Sequence, residues 1–538
     1  MIKSILIISK SHQESVILDN NFDAEIVINC AKIIEKAIAS FDIEILFSQP
    51  IVSFRNHDYT WVDVSDNRIA NSFSPKIIKL ANGFYVQSNT NQGIWEVQKQ
   101  NPNKLLWRFN PENANPLTNY TGNNNQKVIA TATPSFDNFV HPTLLFSKTG
   151  AIEISRSKIP FTAIACFTDH CDFDTSESLE KQREFFKKNN IKVTKGFFLN
   201  HFSKREDNAS WENDQEELQK WVNDGHELCY HSLSQSIKSK EESTSDFYYF
   251  SPPIPIKTWI DHGYQPYNLS LYKKEGIDET VFAENLAKND IEILWNYIDS
   301  GTATLGVLNQ LNTKHFSLQS FYNGIKKASF KKRMSLIIKN SIVHFYSDEK
   351  LIKNYSQLAS SFKKITKTKS STDLFSFIGK CFKVFIPLFK IVLCWNSYKK
   401  QVYPLAKYQT IFFNHTIGTK NFIVFQTLEF LDFINALHKK SVDEFITEKG
   451  IFIAHTYFSV PMEYHEGRIF TKSGEINPIV EANFEYLGQN IKENKIWNPT
   501  LIELVDFWKK CNQVEFQISN QGEISIKNNT EIAFRIIT

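Results

Sequence analysis

Between residues 156 and 262 the chain alternates apolar strand-like runs with polar helical segments, and this rhythm leaves few architectures open. "FTAIACFT" is an apolar run suited to a strand buried on both faces. "ESLEKQREFFKKNN" has helical periodicity, "IKVTKGFFLN" reads as a second strand, and "NDQEELQKWVNDG" as a helix with Gly225 where a C-terminal cap belongs. "HELCYHS" follows as a third strand. Repeated βα units of this length predict an α/β fold built on a parallel sheet or a β/α barrel. In such folds the chemistry sits at the carboxyl ends of the strands.

The rhythm resumes after 405 with "YQTIFFNHT", "NFIVFQTLEFLDFINALHKK", "GIFIAHTYFS" and "NPTLIELVDFWKKCN". A chain of 538 residues exceeds one ordinary core, and the pattern divides it into five parts. Residues 1–155 read as a β-rich, mixed α/β module of short strands such as "FDIEILFS", separated by Asn/Pro/Gly-rich turns and holding no cluster that looks chemical. Residues 156–263 and 406–511 form the two halves of the barrel. A helical insertion, 264–405, separates them, and 512–538 is a small β appendage around a Gln-Gly turn.

Composition adds bounds. A hydrophobic fraction of 42% with 22% charged residues excludes wholesale disorder. The opening "MIKSILIISKSHQES" is too short in its apolar part for a signal segment and reads as a buried strand. Seven cysteines without a CxxC pair suit free thiols in a reducing compartment, so a cytoplasmic location is expected.

The formal charge of +3 hides a strong asymmetry: residues 324–400 hold 17 Lys/Arg against three Asp/Glu. Within them "LFSFIGKCFKVFIPLFKIVLCW" contains Lys380, Lys383, Lys390 and Pro387. A membrane-crossing helix would pay roughly 2.5–3.5 kcal/mol for each central lysine. The segment therefore predicts either a basic amphipathic helix on an anionic membrane, at the inner face of the cytoplasmic membrane, or a helical hairpin with a solvated basic face. Nucleic-acid binding through this segment is a weaker alternative, because no recognisable motif accompanies the charge.

Four polar groupings lie at or just after strand ends: Asp169, His170, Asp172 and Asp174; His226 and His231; Asp261 and His262; and His455. One such histidine is usually structural, but four groupings on successive strands converge on one rim. Carboxylate and imidazole donors without paired cysteines suit a divalent metal such as Zn, Co, Ni, Mn or Fe, and hence metal-assisted hydrolysis of an ester or amide. Competing structural roles are a helix N-cap for Asp172 or Asp174, a structural His226, and buried inert Cys171 and Cys229.

The order of a strand-end Asp cluster, then "GHE" leading to His-Ser, then a late apolar-His strand resembles the polysaccharide deacetylases, carbohydrate esterases that remove N-acetyl groups from amino sugars. The resemblance covers roughly 156–262 and 405–510 and implies a distorted β/α barrel. It implies a base Asp and a metal-binding Asp drawn from Asp169, Asp172 and Asp174. The end of the strand at Thr168 favours Asp169 as base with Asp172 as ligand, while a "DFD" register shifts both roles to Asp172 and Asp174. His231 matches the first histidine of the second motif, and Gln235 stands where the second is expected, so the third ligand is open between Gln235, His170, His262 and water, or the site has lost its metal. "TWIDHGYQPYN" has Pro266 and Tyr267 without the family's Arg, leaving Asp261 or His262 in its place. His455 matches the general acid. His201 is placed to line the pocket, and Trp259, Tyr264 and Tyr267 to stack on sugar rings. The implied substrate is an acetylated amino sugar of a surface polysaccharide, glycolipid or precursor. The Gln235 and Arg departures also admit a catalytically inactive carbohydrate-binding protein.

Overall fold

The computed structural model describes residues 1–538 apart from 17–23, 122–125, 137–138, 202–207, 235–239, 261–275, 304–306, 327, 369–370, 431, 460–467 and 529–530. The N-terminal part is a sandwich of two six-stranded antiparallel sheets. Strict alternation in "FDIEILF" turns Phe41, Ile43, Ile45 and Phe47 to one side. There they meet Phe54, Ile78, Val86, Leu144 and Phe146 of the second sheet in a shared core. The strand Ala151–Ile154 leaves this sandwich and pairs antiparallel with Phe534–Ile537. The strands expected around the Gln-Gly turn are the hairpin Phe516–Ile518/Ile524–Ile526. The last strand lies apart from that appendage and returns to residues 151–154, where buried Glu153 receives Arg55 at 2.7 Å and Arg535.

Seven parallel strands close a barrel: β1 (Ala163–Asp169), β2 (Thr194–Asn200), β3 (Glu227–Ser234), β4 (Thr258–Trp259), β5 (Ile293–Ala303), β6 (Lys420–Phe430) and β7 (Ile451–Thr456). The order runs from β2 through β6 to β7 and β1, and β1 closes back on β2 through Thr168↔Thr194 and Asp169↔Lys195. The short strand Ile496–Trp497 occupies the start of β1 instead, so β1 meets β2 only where the carboxyl end of β1 pairs with the amino end of β2. Along β1, Ile164 and Cys166 join an interior cluster with Trp295, Phe425 and Ile453, whereas Ala163, Ala165 and Phe167 pack outward against helix residues Phe186 and Phe484. This period-two alternation decides which strand-end groups enter the barrel mouth.

Helix α1 (Ser176–Lys188) follows β1, α2 (Trp211–Asn223) follows β2, and α3 (Glu279–Lys288) precedes β5. Thr175 caps α1 in a reciprocal capping box with Ser178, so neither Asp172 nor Asp174 serves as the cap. Both α3 and β5 fall inside 264–405, the stretch expected to be the insertion. They belong to the barrel, because β5 bridges β4 and β6. The long helices of the remaining insertion are α4 (Phe330–Asn340), α5 (Glu349–Thr368) and α6 (Ser371–Leu393). No described helix is long and apolar enough to cross a membrane.

Candidate metal centre

The β1 strand ends in a turn that separates its four polar residues. Asp174 N donates to Cys171 O at 3.2 Å, and Phe173 takes a left-handed φ of 68°. On one side of the turn, Asp169 follows the outward parity of Phe167 and lies against Lys195 of β2. Lys195 also donates to Asp174 Oδ2 at 2.6 Å and Gln182 Oε1 at 3.0 Å, with its ammonium over the Trp221 ring. Phe458 N donates to the other oxygen of Asp169 at 3.1 Å. Both Asp169 and Lys195 are fully buried. Burial pushes the Asp169 carboxyl up against the pull of Lys195. The residue expected to be the base is thus half of an ion-pair network between strand and helix, and Asp174 is held in the same network.

On the other side, His170 and Asp172 turn toward His231 in the carboxyl half of β3. His170 Nδ1 lies 3.0 Å from His231 Nε2, and that nitrogen lies 3.1 Å from Asp172 Oδ2. The donor atoms of the three residues all fall within 4.8 Å of one another, and all three side chains are buried. Two donors sharing an ion at about 2.0–2.1 Å stand about 2.8–3.4 Å apart at octahedral or tetrahedral angles. The set therefore fits a divalent cation by donor type, and the two separations through His231 Nε2 fall within that range.

Facing this cluster, His455 of β7 stands in register with Thr168 of β1 and Glu429 of β6. Its ring centroid is 4.5 Å from that of His170. Its Nδ1 bonds Asp299 of β5 at 3.1 Å, and Thr427 donates to the same carboxylate oxygen at 2.7 Å while receiving Trp295 Nε1 at 3.0 Å. His455 Nε2 is buried and has no hydrogen-bond partner among the described residues. Burial works against a charged His455, but the Asp299 carboxylate and, beyond it, Glu429 outweigh burial and hold the imidazole above its ordinary range. Glu429 is drawn down in turn, against burial, by Lys339 of α4 at 3.6 Å. Trp295 and Tyr457 flank the two imidazoles at centroid distances of 4.7–5.3 Å.

The structure thus brings together His170, Asp172, His231 and His455. His201, at the end of β2, is engaged through its backbone with Glu212. Gln235, Asp261, His262, Tyr264 and Tyr267 lie outside the described residues. Trp259, expected to stack on sugars, is instead wholly buried among Tyr230, Phe247 and Phe250. His226 accepts Val193 N in the wall at the amino end of β3, where burial lowers its pKa to about 4. All seven cysteines are free.

Asp299, Thr427, Glu429 and Lys339 were not expected at the site. The alternation Trp295, Tyr297, Asp299 in "ILWNYIDSGTA" carried the signal, but it lay in the stretch taken for the insertion. A bulge between Trp295 and Asp299, with Tyr297 at φ 56°, also bends that strand at the rim.

No family model and no curated protein matches the chain. Among solved structures it is similar to a Flavobacterium johnsoniae GH31 dextranase, seen as a mutant complexed with isomaltotriose and as a complex with glucose. Each match has a TM-score of 0.23 and 6% identity over 56% of this chain, and spans about half of the other chain, 49% and 45%.

Proposed function

We propose that this chain is a metal-dependent carbohydrate deacetylase acting on an N-acetylated amino sugar. The observation that carries the reading is the convergence of His170, Asp172 and His231 on one point, with the His455–Asp299 pair facing them across the barrel mouth. The sequence resemblance supports the substrate class.

A divalent cation held by the three residues would supply Lewis-acid polarisation of the amide carbonyl and a source of hydroxide near neutral pH. Asp299 holds Nδ1 of His455, which leaves Nε2 as the working nitrogen and favours the protonated ring. As the amide C–N bond breaks, His455 passes its Nε2 proton to the departing amine, and water supplies the oxygen of the released acetate. Thr427 and Trp295 fix the Asp299 carboxylate, so Asp299 is a positioning residue. Trp295 and Tyr457 screen the imidazoles from bulk water. Asp169 is given no part in proton transfer, since both of its oxygens are committed to Lys195 and Phe458 N.

The test is acetate release from an N-acetylglucosamine oligomer by the purified protein, together with elemental analysis. Stoichiometric metal and acetate release abolished by His231→Ala are expected. Metal uptake without acetate release from any N-acetylated sugar would overturn the deacetylase reading. Failure to bind Zn, Co, Ni or Mn would leave the inactive carbohydrate-binding alternative standing.

A further inference from the structure

We infer that the outer face of α6 is a docking surface for an anionic lipid bilayer, whatever reaction the barrel performs. Among the described residues of this one helix, six large apolar side chains are exposed: Phe382 63%, Phe385 49%, Ile386 64%, Phe389 63%, Val392 66% and Leu393 71%. At about 100° per residue they fill an arc of about 120° and run about 16 Å along the axis. The opposite face is already satisfied. Val384 is buried against Ile342 and Leu351, and Ile391 joins the main core. A hairpin packed on the barrel with a solvated outer side would place its charges here; α6 presents Phe, Ile, Val and Leu instead. A continuous exposed stripe of this kind marks an interaction surface.

Charge selects the occupant. Lys383 and Lys390 are exposed and border one edge of the arc, and Phe330, 80% exposed, opens α4 beside exposed Lys331 and Arg333. An apolar stripe edged with lysines is the pattern of a helix lying in the plane of a membrane interface, its rings among the acyl chains and its ammonium groups at anionic headgroups. A second copy of the chain would bring like charges together across the contact. A nucleic acid would leave the six apolar side chains in water. The helix lies on the bilayer and does not cross it, in keeping with its lysines and with the absence of a spanning helix among the described residues. The same insertion supplies Lys339 to Glu429 at the barrel rim, so docking element and site are joined.

The test is co-sedimentation of the full-length protein with vesicles of phosphatidylcholine plus phosphatidylglycerol, and of phosphatidylcholine alone. Binding to the mixed vesicles is expected, weakened by salt and by Lys383→Glu/Lys390→Glu, and weakened at least about tenfold by Phe385→Ser/Phe389→Ser. Both pairs are exposed, so circular dichroism and metal content should be unchanged. The inference is overturned if the wild-type protein ignores the mixed vesicles. It is equally overturned if the protein is a dimer that Phe385→Ser/Phe389→Ser dissociates, or if the lysine pair governs retention on nucleic acid and leaves vesicle binding unaltered.

Discussion

His455 Nδ1 lies 3.1 Å from Asp299 Oδ1 although the two residues stand on β7 and β5, with β6 between them. The bond bridges β6 over Thr427, which donates to the same carboxylate. Three strands therefore agree on one orientation of the imidazole. Asp299→Asn keeps the shape, removes the charge and frees the ring. Acetate release should fall by about 10²- to 10⁴-fold, with metal content and melting temperature little changed. Loss of metal in this variant would show that Asp299 acts on the metal ligands and not on His455.

The metal ligands separate from structural histidines by a binding measurement. His170→Ala and His231→Ala should each weaken metal affinity by more than about 100-fold, the upper end of what loss of a supporting residue causes. His226→Ala, at the other end of β3, should lower stability and leave metal stoichiometry intact. Competition with a chelator, followed by elemental analysis, reads the difference.

Lys195 neutralises two buried carboxylates at once. Lys195→Met should destabilise the fold by about 3–5 kcal/mol, because Asp169 and Asp174 are left buried and uncompensated. Adding Asp169→Asn and Asp174→Asn to it should recover much of that loss. Denaturant unfolding of the single and triple variants measures both. If Asp169→Asn abolished acetate release while stability was unaffected, the carboxylate would belong to the reaction after all.

Glu448 gives the protein an acid-sensitive contact far from the metal cluster. Burial alone would raise its pKa, but His315 at 3.3 Å, Asn309 at 2.9 Å and Asn312 at 2.7 Å outweigh burial and hold it at about 2. A carboxyl depressed below its unfolded value of 4.5 contributes stability above that value and loses it as pH falls through about 2. The contribution at neutral pH is on the order of 3 kcal/mol. Unfolding curves between neutral pH and pH 2 should therefore fall more steeply for the wild type than for Glu448→Gln. Parallel curves would remove the contact from the acid response.

Local pattern alone carried much of this protein. Apolar runs between helical segments announced parallel strands, and polar groups after those runs announced a rim, so Asp172, His231 and His455 were legible as candidates from residue order alone. "FDIEILF" likewise announced a strand, though not the sandwich it belongs to. The choice among Asp169, His170, Asp172 and Asp174 was not local. It depended on where β1 parity ends and on the left-handed Phe173 turn, which sends two residues inward and ties two to Lys195. Asp299 and Glu429 entered the site only when β5 and β6 closed the barrel, because their roles rest on cross-strand register and not on neighbours in sequence. Which side of α6 stays exposed was open between two readings for a related reason. A sequence shows that a helix is apolar on two sides, but only packing decides which side the core covers and which is left for another surface.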